Sequence, residues 1–353
     1  MAVVKPFRAL RYDERRAGPL DSLVAPPYDV ISPEERERYL ARNPYNVVRV
    51  TLPDDAEEAA RNLADWEREA VLIRDEQPSF WWLAQDYVSP DGVGRRRDGL
   101  VCALRIEPYS AGVVLPHERT HAGPKEDRLR LLRATRTHVE PIFLLYEGGL
   151  GGAPANEPAL DVELDGVRSR LWRVEEAATD LRSVTAVSRA RLLIADGHHR
   201  YETALAFHGE DGGEASAWLL AVIVPTGQDG LTIFPTHRIA LRTRPLPTLG
   251  RAPANGHASA EVYTRAGSGF LVGEEGELDV ELVARYADDV RYTPSAEEAR
   301  AAVDRGDAEA AFLLRPPTVE QVAAVAEAGR TMPQKSTYFY PKLTSGLLML
   351  PLD

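Results

Sequence analysis

A short apolar run that passes through a glycine into a helical segment is the feature that most constrains the fold. Residues 192–195 (LLIA) have the composition of a buried strand, and residues 201–207 (YETALAF) have that of a helix. The five residues 196–200 (DGHHR) join the two. Helix and strand signals also alternate along much of the chain, so we expect an α/β or α+β protein with mixed sheets and packed helices.

The joining segment has the properties of an anion-binding loop. A strand that runs through glycine into a helix directs backbone N–H groups and the positive end of the helix dipole to one point. Gly197 lets the backbone approach a ligand closely, and Arg200 can bind two phosphate oxygens at once. Asp196 is suited to hold Mg²⁺ or orient a hydroxyl, and His198 and His199 to donate hydrogen bonds or move protons. The alternative is that Asp196 only caps the helix while the histidines face solvent.

The chain has 353 residues, more than one hydrophobic core usually holds, so two or three packed subdomains are expected. Two stretches rich in glycine, alanine and proline, residues 148–158 and 246–268, mark surface loops or joints. They separate an N-terminal α/β subdomain, a subdomain with the DGHHR loop, a third α/β subdomain and a C-terminal segment that returns to the active site. The predicted bounds are 1–147, 148–245, 246–330 and 331–353.

Composition and charge exclude several classes of partner. The formal net charge is −12, so the surface as a whole repels a phosphate backbone and no nucleic-acid partner is expected. The one dense basic run, residues 95–97 (RRR), is typical of a solvated turn. No stretch approaches the length of a membrane span, and the N-terminus lacks the apolar core of a signal peptide. The single cysteine, Cys102, lies in an apolar run typical of a buried strand, which favours a reducing, cytoplasmic location.

Apolar periodicity and turn signals predict the main elements. Ser32, followed by Pro33 and two glutamates, has the pattern of a helix N-terminus. Helices are predicted over residues 55–74, 126–137, 177–187 and 204–207. Strands are predicted over residues 80–88, 100–106, 142–146, 171–174, 191–195 and 218–224.

Residues 117–121 (HERTH) fit the HExxH pattern of zinc proteases. That chemistry needs both histidines on one face of a stable helix. A proline precedes the motif, and a glycine and a proline follow it within three residues, so we expect no zinc to bind here. Zinc in the purified protein that is lost on His121→Ala would contradict this. His117 and Glu118 are still suited to act as a base or as a water-mediated metal ligand.

Two further segments are candidates for phosphate and substrate binding. Lys125 and Arg128 begin a basic helix and are predicted to meet the phosphates held by the loop, with a solvated helix face as the alternative. A dense group of hydrogen-bonding side chains lies beside aromatic residues near the C-terminus and is predicted to line the same pocket. The alternative is a terminal strand that pairs with the sheet. The residues of this group are Gln334, Lys335, Ser336, Thr337 and Tyr338.

Several motifs together resemble the domain of unknown function 1015 family over essentially the whole chain. They are residues 25–30 (APPYDV), 43–46 (NPYN), 117–120 (HERT), 125–128 (KEDR), 196–200 (DGHHR) and 334–342 (QKSTYFYPK). The resemblance implies that Tyr28, Asp29 and Asn46 line the substrate pocket together with Tyr338.

The DGHHR loop is also locally similar to the ParB/sulfiredoxin-like superfamily, which includes free serine kinases. Members carry a Gly-x-x-Arg-type loop that opens a helix and holds nucleotide phosphates, matched here by Gly197, His198, His199 and Arg200. This similarity implies a ParB/sulfiredoxin-like nucleotide-binding core with additional subdomains. It also implies ATP or ADP as a ligand and free serine as the candidate acceptor.

These features predict a small-molecule kinase that moves a phosphoryl group from a nucleotide to a small hydroxylated metabolite, with Mg²⁺. Phosphoryl transfer needs an anion-binding backbone, cations and a base, and the chain supplies all three. Asp196 or Glu118 would bind Mg²⁺, and Glu118 or His198 would accept the hydroxyl proton. Two alternatives stay open: a nucleotide-binding regulatory module with little turnover, and a hydrolase of a phosphorylated or sugar metabolite.

Overall fold

The computed structural model describes residues 1–89, 92–118, 122–174, 181–252 and 257–353, and for residues 122–124 and 181–183 it describes the main chain only. Within these residues the chain forms helices and mixed sheets, as the sequence predicts. The helices are α1 (Glu14–Ala17), α2 (Leu20–Leu23), α3 (Pro33–Arg42), α4 (Val48–Thr51), α5 (Ala56–Arg68), α6 (Ala122–Thr135), α7 (Leu181–Arg189), α8 (His198–Asp211), α9 (Asp279–Ala284), α10 (Ala296–Arg305) and α11 (Val319–Glu327).

The strands follow the same order along the chain. They are β1 (Val4–Lys5), β2 (Leu10–Tyr12), β3 (Leu72–Arg74), β4 (Phe80–Val88), β5 (Gly94–Arg105), β6 (Val114–Leu115), β7 (Thr137–His138), β8 (Ile142–Tyr146), β9 (Leu160–Leu164), β10 (Val167–Val174), β11 (Leu192–Asp196), β12 (Trp218–Pro225), β13 (Thr232–Phe234), β14 (His237–Thr243), β15 (His257–Thr264), β16 (Gly267–Glu275), β17 (Ala287–Thr293), β18 (Ala310–Leu314), β19 (Tyr338–Tyr340) and β20 (Leu350–Pro351).

The first of two compact units comprises the described parts of residues 1–115, 120–231 and 341–353. Its main sheet has the order β6-β11-β8-β12-β5-β4-β10-β9, with β1 also paired to β5. The pairs β6–β11 and β8–β12 are parallel and the other neighbours are antiparallel. All eight residues of β12 are buried, as the uninterrupted apolar run of this strand requires of a central position.

Helix α8 packs on this sheet and so fixes the position of the DGHHR loop. Tyr201 and Ala204 on α8 belong to the same buried cluster as Ile194 on β11 and Leu144 on β8. Burial of these apolar side chains holds the helix against the strand that precedes it. The N-terminus of α8 is therefore anchored at the end of β11.

The second unit comprises residues 232–340 and the described part of 116–119. Its five-stranded sheet has the order β16-β15-β18-β14-β17 and is antiparallel throughout. Helix α10 covers it through Ala299, Ala302 and Val303, which pack on Ile239 and Ala311. The strands β13 and β19 pair separately, also antiparallel.

The two units group the chain differently from the four predicted segments. The predicted boundary at 147/148 falls between strands that share the first sheet, since β8 and β11 pair across it. The predicted joint 246–268 contains β15 and the start of β16, so it is not a loop throughout. The predicted C-terminal segment is split, because 341–353 belongs to the first unit and 331–340 to the second.

Several local predictions are confirmed and two need correction. Ser32 caps α3 in a reciprocal capping box, and Cys102 is buried in β5, both as predicted. The predicted helix 55–74 ends at residue 68, because the chain turns at Ala70, which has a positive φ of 54°. The basic run 95–97 is not a solvated turn. It lies within β5, where Arg97 pairs with Gln85 of β4 and is 1% exposed.

None of the helices in the described part of the chain has the length and apolar composition needed to span a bilayer.

Candidate functional site

The turn from β11 into α8 requires glycine. Gly197 has φ 95°, in the left-handed region, and a Cβ atom at this position would lie 2.9 Å from Cγ2 of Ile142. Asp196 is the last residue of β11, and Gly197 is the N-cap residue of α8. Because the N-cap residue is a glycine, it has no side chain that could cap α8.

The carboxylate of Asp196 lies between two cations. Its Oδ2 accepts a 2.7 Å hydrogen bond from Nη2 of Arg200, and its Oδ1 accepts a 2.6 Å hydrogen bond from Nζ of Lys342. The three side chains are only 12–15% exposed. At this burial solvent screens the charges weakly, so the two ion pairs hold Asp196 in one orientation. Lys342 was not singled out from the sequence, although it ends the polar tail motif.

The main chain beside Lys342 is held on the sheet by two buried polar residues. Nη2 of Arg97 donates to the Pro341 carbonyl at 2.6 Å and also to Oε1 of Gln85. Nε2 of Gln85 donates to the carbonyl of Lys342 at 3.1 Å. Burial lowers the pKa of Arg97 to about 9, although Tyr87 and Asp196 oppose this. These contacts fix where the tail passes Asp196.

The other side of the Arg200 guanidinium faces a buried carboxyl group. Its Nη1 donates to the carbonyl of Pro141. Burial opposes the charge of Arg200, yet Glu140, Asp196 and Asp29 together raise its pKa above the usual value. Burial also raises the pKa of Glu140, against the opposing influence of Arg200. Arg200 is therefore charged and shared among several carboxylates.

Glu140 is a site residue that the sequence analysis missed. It is 6% exposed, and its Oε1 accepts hydrogen bonds from the Tyr28 N–H at 3.0 Å and from the Ser345 hydroxyl at 2.8 Å. It precedes Pro141 and the buried strand β8. A charged residue directly before an apolar strand was the available signal, but its partners lie far away in the sequence.

The predicted basic residues of α6 contact protein groups. The guanidinium of Arg128 lies 4.3 Å from the centre of the Tyr28 ring, and its Nη1 donates to the Thr51 carbonyl. Lys125 forms an ion pair with Glu202 of α8. Arg128 and Tyr28 thus lie near the buried Glu140, which accepts a hydrogen bond from the Tyr28 N–H. A phosphate-binding role for Lys125 stays a prediction.

Asn46 has a structural role, and its predicted place in a substrate pocket stays a prediction. Its side chain is completely buried. Nδ2 donates to the carbonyl of Ser22 at 2.8 Å, and Oδ1 accepts from the N–H of Val48 at 3.0 Å. Main-chain groups use both ends of the amide, so Asn46 secures the start of α4.

The histidines of the loop begin α8. His198 is 8% exposed and His199 is half-buried. Both lie in the first turn, directly after Gly197. Their predicted roles in proton transfer or hydrogen bonding stay predictions.

The remaining predicted residues lie in the second unit. His117 is buried, and its Nε2 lies 2.9 Å from the Thr337 hydroxyl. Glu118 forms an isolated bridge with Met332, so neither residue is on a helix. The Ser336 hydroxyl donates to the Pro333 carbonyl at 2.5 Å.

The other members of the tail group are placed as follows. Tyr338 begins β19 and stacks on Phe234, Lys335 has a positive φ of 54°, and Gln334 lies in the turn before them. His121 lies outside the described residues. The structure thus brings Tyr28, Asp29, Arg128 and Asp196–Arg200 into one unit, and Glu118 and 334–338 into the other.

Metal binding is not built into the described residues as a preformed cluster. No group of three or more His, Cys, Asp or Glu side chains suited to a metal ion occurs among them. Mg²⁺ commonly uses one or two carboxylates together with substrate phosphates, so a single carboxylate such as Asp196 is compatible with it. Of the two residues predicted as alternative Mg²⁺ ligands, Asp196 belongs to the first unit and Glu118 to the second.

Residues 4–249 match the family described as "Protein of unknown function (DUF1015)". The chain belongs to the DUF1015 family. The match includes the loop 196–200, the segment 25–30 and Glu140, and it ends before the tail. Lys342, which reaches Asp196 in this DUF1015 protein, therefore lies beyond the matched residues.

Solved structures resemble the DUF1015 chain only distantly. A free serine kinase in complex with AMP has 15% identity and a TM-score of 0.39, with 67% of this chain and 89% of that chain covered. A conserved hypothetical protein from Pyrococcus furiosus has 15% identity and a TM-score of 0.39, covering 71% and 94%. SbnI from Staphylococcus aureus, truncated at its C-terminus, has 12% identity and a TM-score of 0.43, covering 71% and 87%. No curated protein is significantly similar to the chain.

Proposed function

We propose that this DUF1015 protein is a phosphotransferase that moves a phosphoryl group from ATP to a small hydroxylated metabolite. The observation that carries the proposal is the Asp196 carboxylate held between Arg200 and Lys342 at the N-terminus of α8. A helix N-terminus and two cations provide the positive field that nucleotide phosphates need. An acidic chain would otherwise repel them, since its net charge is −12.

In this proposal the backbone after Gly197 binds the phosphates. Lys342 exchanges Asp196 for a phosphate oxygen when the nucleotide enters, and Arg200 keeps Asp196 in place. Asp196 is the carboxylate that would hold Mg²⁺ against the phosphates, and the ion would neutralise charge during transfer. Lys125 is a further candidate for a phosphate contact. Free serine is the candidate acceptor on the similarity of the loop to ParB/sulfiredoxin-like proteins alone.

A second candidate is a nucleotide-binding regulatory module with little turnover. One observation favours it: both oxygens of Asp196 already accept hydrogen bonds from cations. Mg²⁺ at Asp196 must compete with two ion pairs, whereas nucleotide binding without metal needs only Lys342 to move. The two candidates therefore differ in whether the metal is required.

The test compares binding with turnover in the intact chain. Calorimetry with ATP and ADP, with and without Mg²⁺, measures binding. ³¹P NMR of ATP mixed with hydroxylated amino acids, sugars and polyols measures transfer. The phosphotransferase proposal expects a phosphomonoester signal that depends on an acceptor and on Mg²⁺. Tight binding without any transfer would favour the regulatory module, and no nucleotide binding would contradict both. Arg130→Ala, an exposed position on α6, is the matched surface control.

A further inference from the structure

A small cavity lies beside the Arg200 guanidinium, where α6, α8, β8 and β12 meet. Its volume is about 50 Å³, and its polar lining includes Arg128, His138, Glu140, Arg200 and Thr203. Leucines of α6 and β12 provide the apolar part of the wall. Pockets for ligands of nucleotide size have roughly 300–1,000 Å³. The cavity is therefore suited to one end of a small molecule and not to a nucleotide.

Two polar atoms at this cavity lack hydrogen-bond partners. The hydroxyl of Thr203 is buried, on a residue 4% exposed, and makes no hydrogen bond. Oε1 of Glu140 accepts two hydrogen bonds, whereas its Oε2 accepts none from the described residues. Buried polar groups are nearly always paired, so an unpaired hydroxyl and an unpaired oxygen of a carboxylate that is 6% exposed indicate that the cavity takes up a polar molecule.

The available partners define the chemistry of that ligand. A hydroxyl group carries one donor and two acceptor positions. It can donate to Oε2 of Glu140 and accept from the hydroxyl of Thr203, while the leucines fit the carbon atoms beside it. Nη1 of Arg128 and both Nη atoms of Arg200 already donate to protein oxygens, so the arginines mainly balance the charge of Glu140.

We propose that the acceptor of phosphoryl transfer places its hydroxyl in this cavity and that Glu140 is the base that accepts its proton. This assignment rests on the proposed function. Arg200 connects the two sites, since it contacts Asp196 and also lines the cavity. Glu140 takes the role that the sequence analysis assigned to Glu118 or His198.

The reaction step balances without any further reactant. The acceptor O–H bond breaks and its proton passes to Oε2 of Glu140. The acceptor oxygen forms a bond to the γ-phosphorus of ATP, while the bond from that phosphorus to the β,γ-bridging oxygen breaks. ADP leaves with the electron pair of that bond, and Glu140 afterwards releases the proton to solvent.

The cavity is tested first without nucleotide, by soaking crystals of the whole protein in ethylene glycol. The proposal expects a glycol hydroxyl within hydrogen-bond distance of both Oε2 of Glu140 and Oγ1 of Thr203. In Thr203→Val, which keeps the shape but removes the hydroxyl, glycol occupancy should fall. If the cavity of the parent protein took up only water, the hydroxyl site would be overturned. Equal glycol occupancy in the parent protein and in Thr203→Val would also overturn it. Glycol that binds as an adventitious additive only, without contact to Glu140, would overturn the hydroxyl site as well.

The base is tested by Glu140→Gln, which has the same shape but accepts no proton. ATP affinity should stay within twofold, while the rate of transfer falls about 100-fold or more. The pH–rate profile should lose the limb that reports the base. Thr203→Val should raise the KM of the acceptor and keep kcat, and it remains informative if Glu140→Gln does not fold. Glu210→Gln, an exposed position on α8, should change none of these.

The outcomes separate the two proposals. Transfer by Glu140→Gln at the parent rate would show that Glu140 is not the base while leaving the phosphotransferase intact. ATP binding without transfer to any acceptor would contradict the phosphotransferase and with it the base, while the glycol soak still decides whether the cavity takes a hydroxyl.

Discussion

Nζ of Lys342 lies 2.6 Å from Oδ1 of Asp196, although 146 positions separate the two residues in the sequence. The C-terminal residues 341–353 belong to the same unit as the DGHHR loop, and Arg97 and Gln85 secure the chain where it passes Asp196. Lys342 therefore brings a positive charge from the tail to this loop. Lys335, one of the tail residues predicted to line the same pocket, belongs to the second unit, and its phosphate contact stays a prediction.

Lys342→Ala should weaken ATP binding more than Lys335→Ala does. A charge-assisted hydrogen bond contributes about 1.5–3 kcal/mol, so the loss of Lys342 is expected to reduce affinity roughly 10- to 100-fold. Calorimetric titration of both variants with ATP measures this. Equal affinities for the parent protein and Lys342→Ala would contradict the assignment. A large loss in Lys335→Ala alone would restore the original prediction.

Arg200→Ala should reduce stability as well as nucleotide binding. The guanidinium is 12% exposed, pairs with Asp196 and lies in the electrostatic field of Glu140. Removing one partner of a buried ion pair typically costs about 3–5 kcal/mol. Urea unfolding should show this loss, and Arg130→Ala on α6 should stay within about 0.5 kcal/mol of the parent. If Arg200→Ala were as stable as the parent protein, Arg200 would not be needed to stabilise the carboxylates of Asp196 and Glu140.

Gly197→Ala should destabilise the protein, because Ala disfavours φ 95° and its Cβ meets Ile142. A non-glycine residue in such a conformation costs about 1–3 kcal/mol. Gly209→Ala is the matched control on the same helix, where a Cβ meets no atom within 4 Å. This control should stabilise the protein by about 0.5–1 kcal/mol through helix propensity. Thermal unfolding of both variants decides, and a loss at Gly209 as large as at Gly197 would contradict the explanation.

His138 should make the protein less stable in mild acid. Burial lowers the pKa of His138 to about 4, although its hydrogen bond to the Trp218 carbonyl opposes the shift. The pKa of His138 is near 6.5 in the unfolded chain and about 4 in the folded protein, so between these pH values the unfolded chain binds more protons than the folded one. The contribution of neutral His138 to the free energy of unfolding is therefore fully present above pH 6.5 and is lost as the pH falls towards 4. The contribution is at most about 3 kcal/mol.

Urea unfolding between pH 7 and pH 4 measures the contribution of His138. His138→Gln should reduce the pH dependence in this range. An unchanged slope in His138→Gln would show that other groups cause the acid sensitivity.

Local physical chemistry is enough to predict the elements that position the site. The strand at 142–146 is an uninterrupted apolar run with the same bounds in the structure, because both its faces are buried in the sheet. The cap of α3 depends on Ser32 and Glu35, three residues apart, so the sequence contains the whole interaction. The same holds for Gly197, since a tight turn into a helix needs a glycine whatever surrounds it.

The residues that surround the loop depend on tertiary structure, because their partners are remote in sequence. Arg97 was assigned to a solvated turn, since three successive arginines are typical of solvent, but strand pairing places it opposite Gln85 and beneath the tail. Glu140 shows nothing unusual in the sequence until Tyr28 and Ser345 supply its hydrogen bonds from 112 and 205 positions away. The sequence by itself determined the strand–glycine–helix turn at 196–200 and the apolar strands of the sheet, because propensity, capping and burial patterns are local. Only the tertiary structure decided that Lys342 pairs with Asp196 and that Glu140 meets Tyr28 and Ser345, because a side chain acquires its remote partners only when the chain folds.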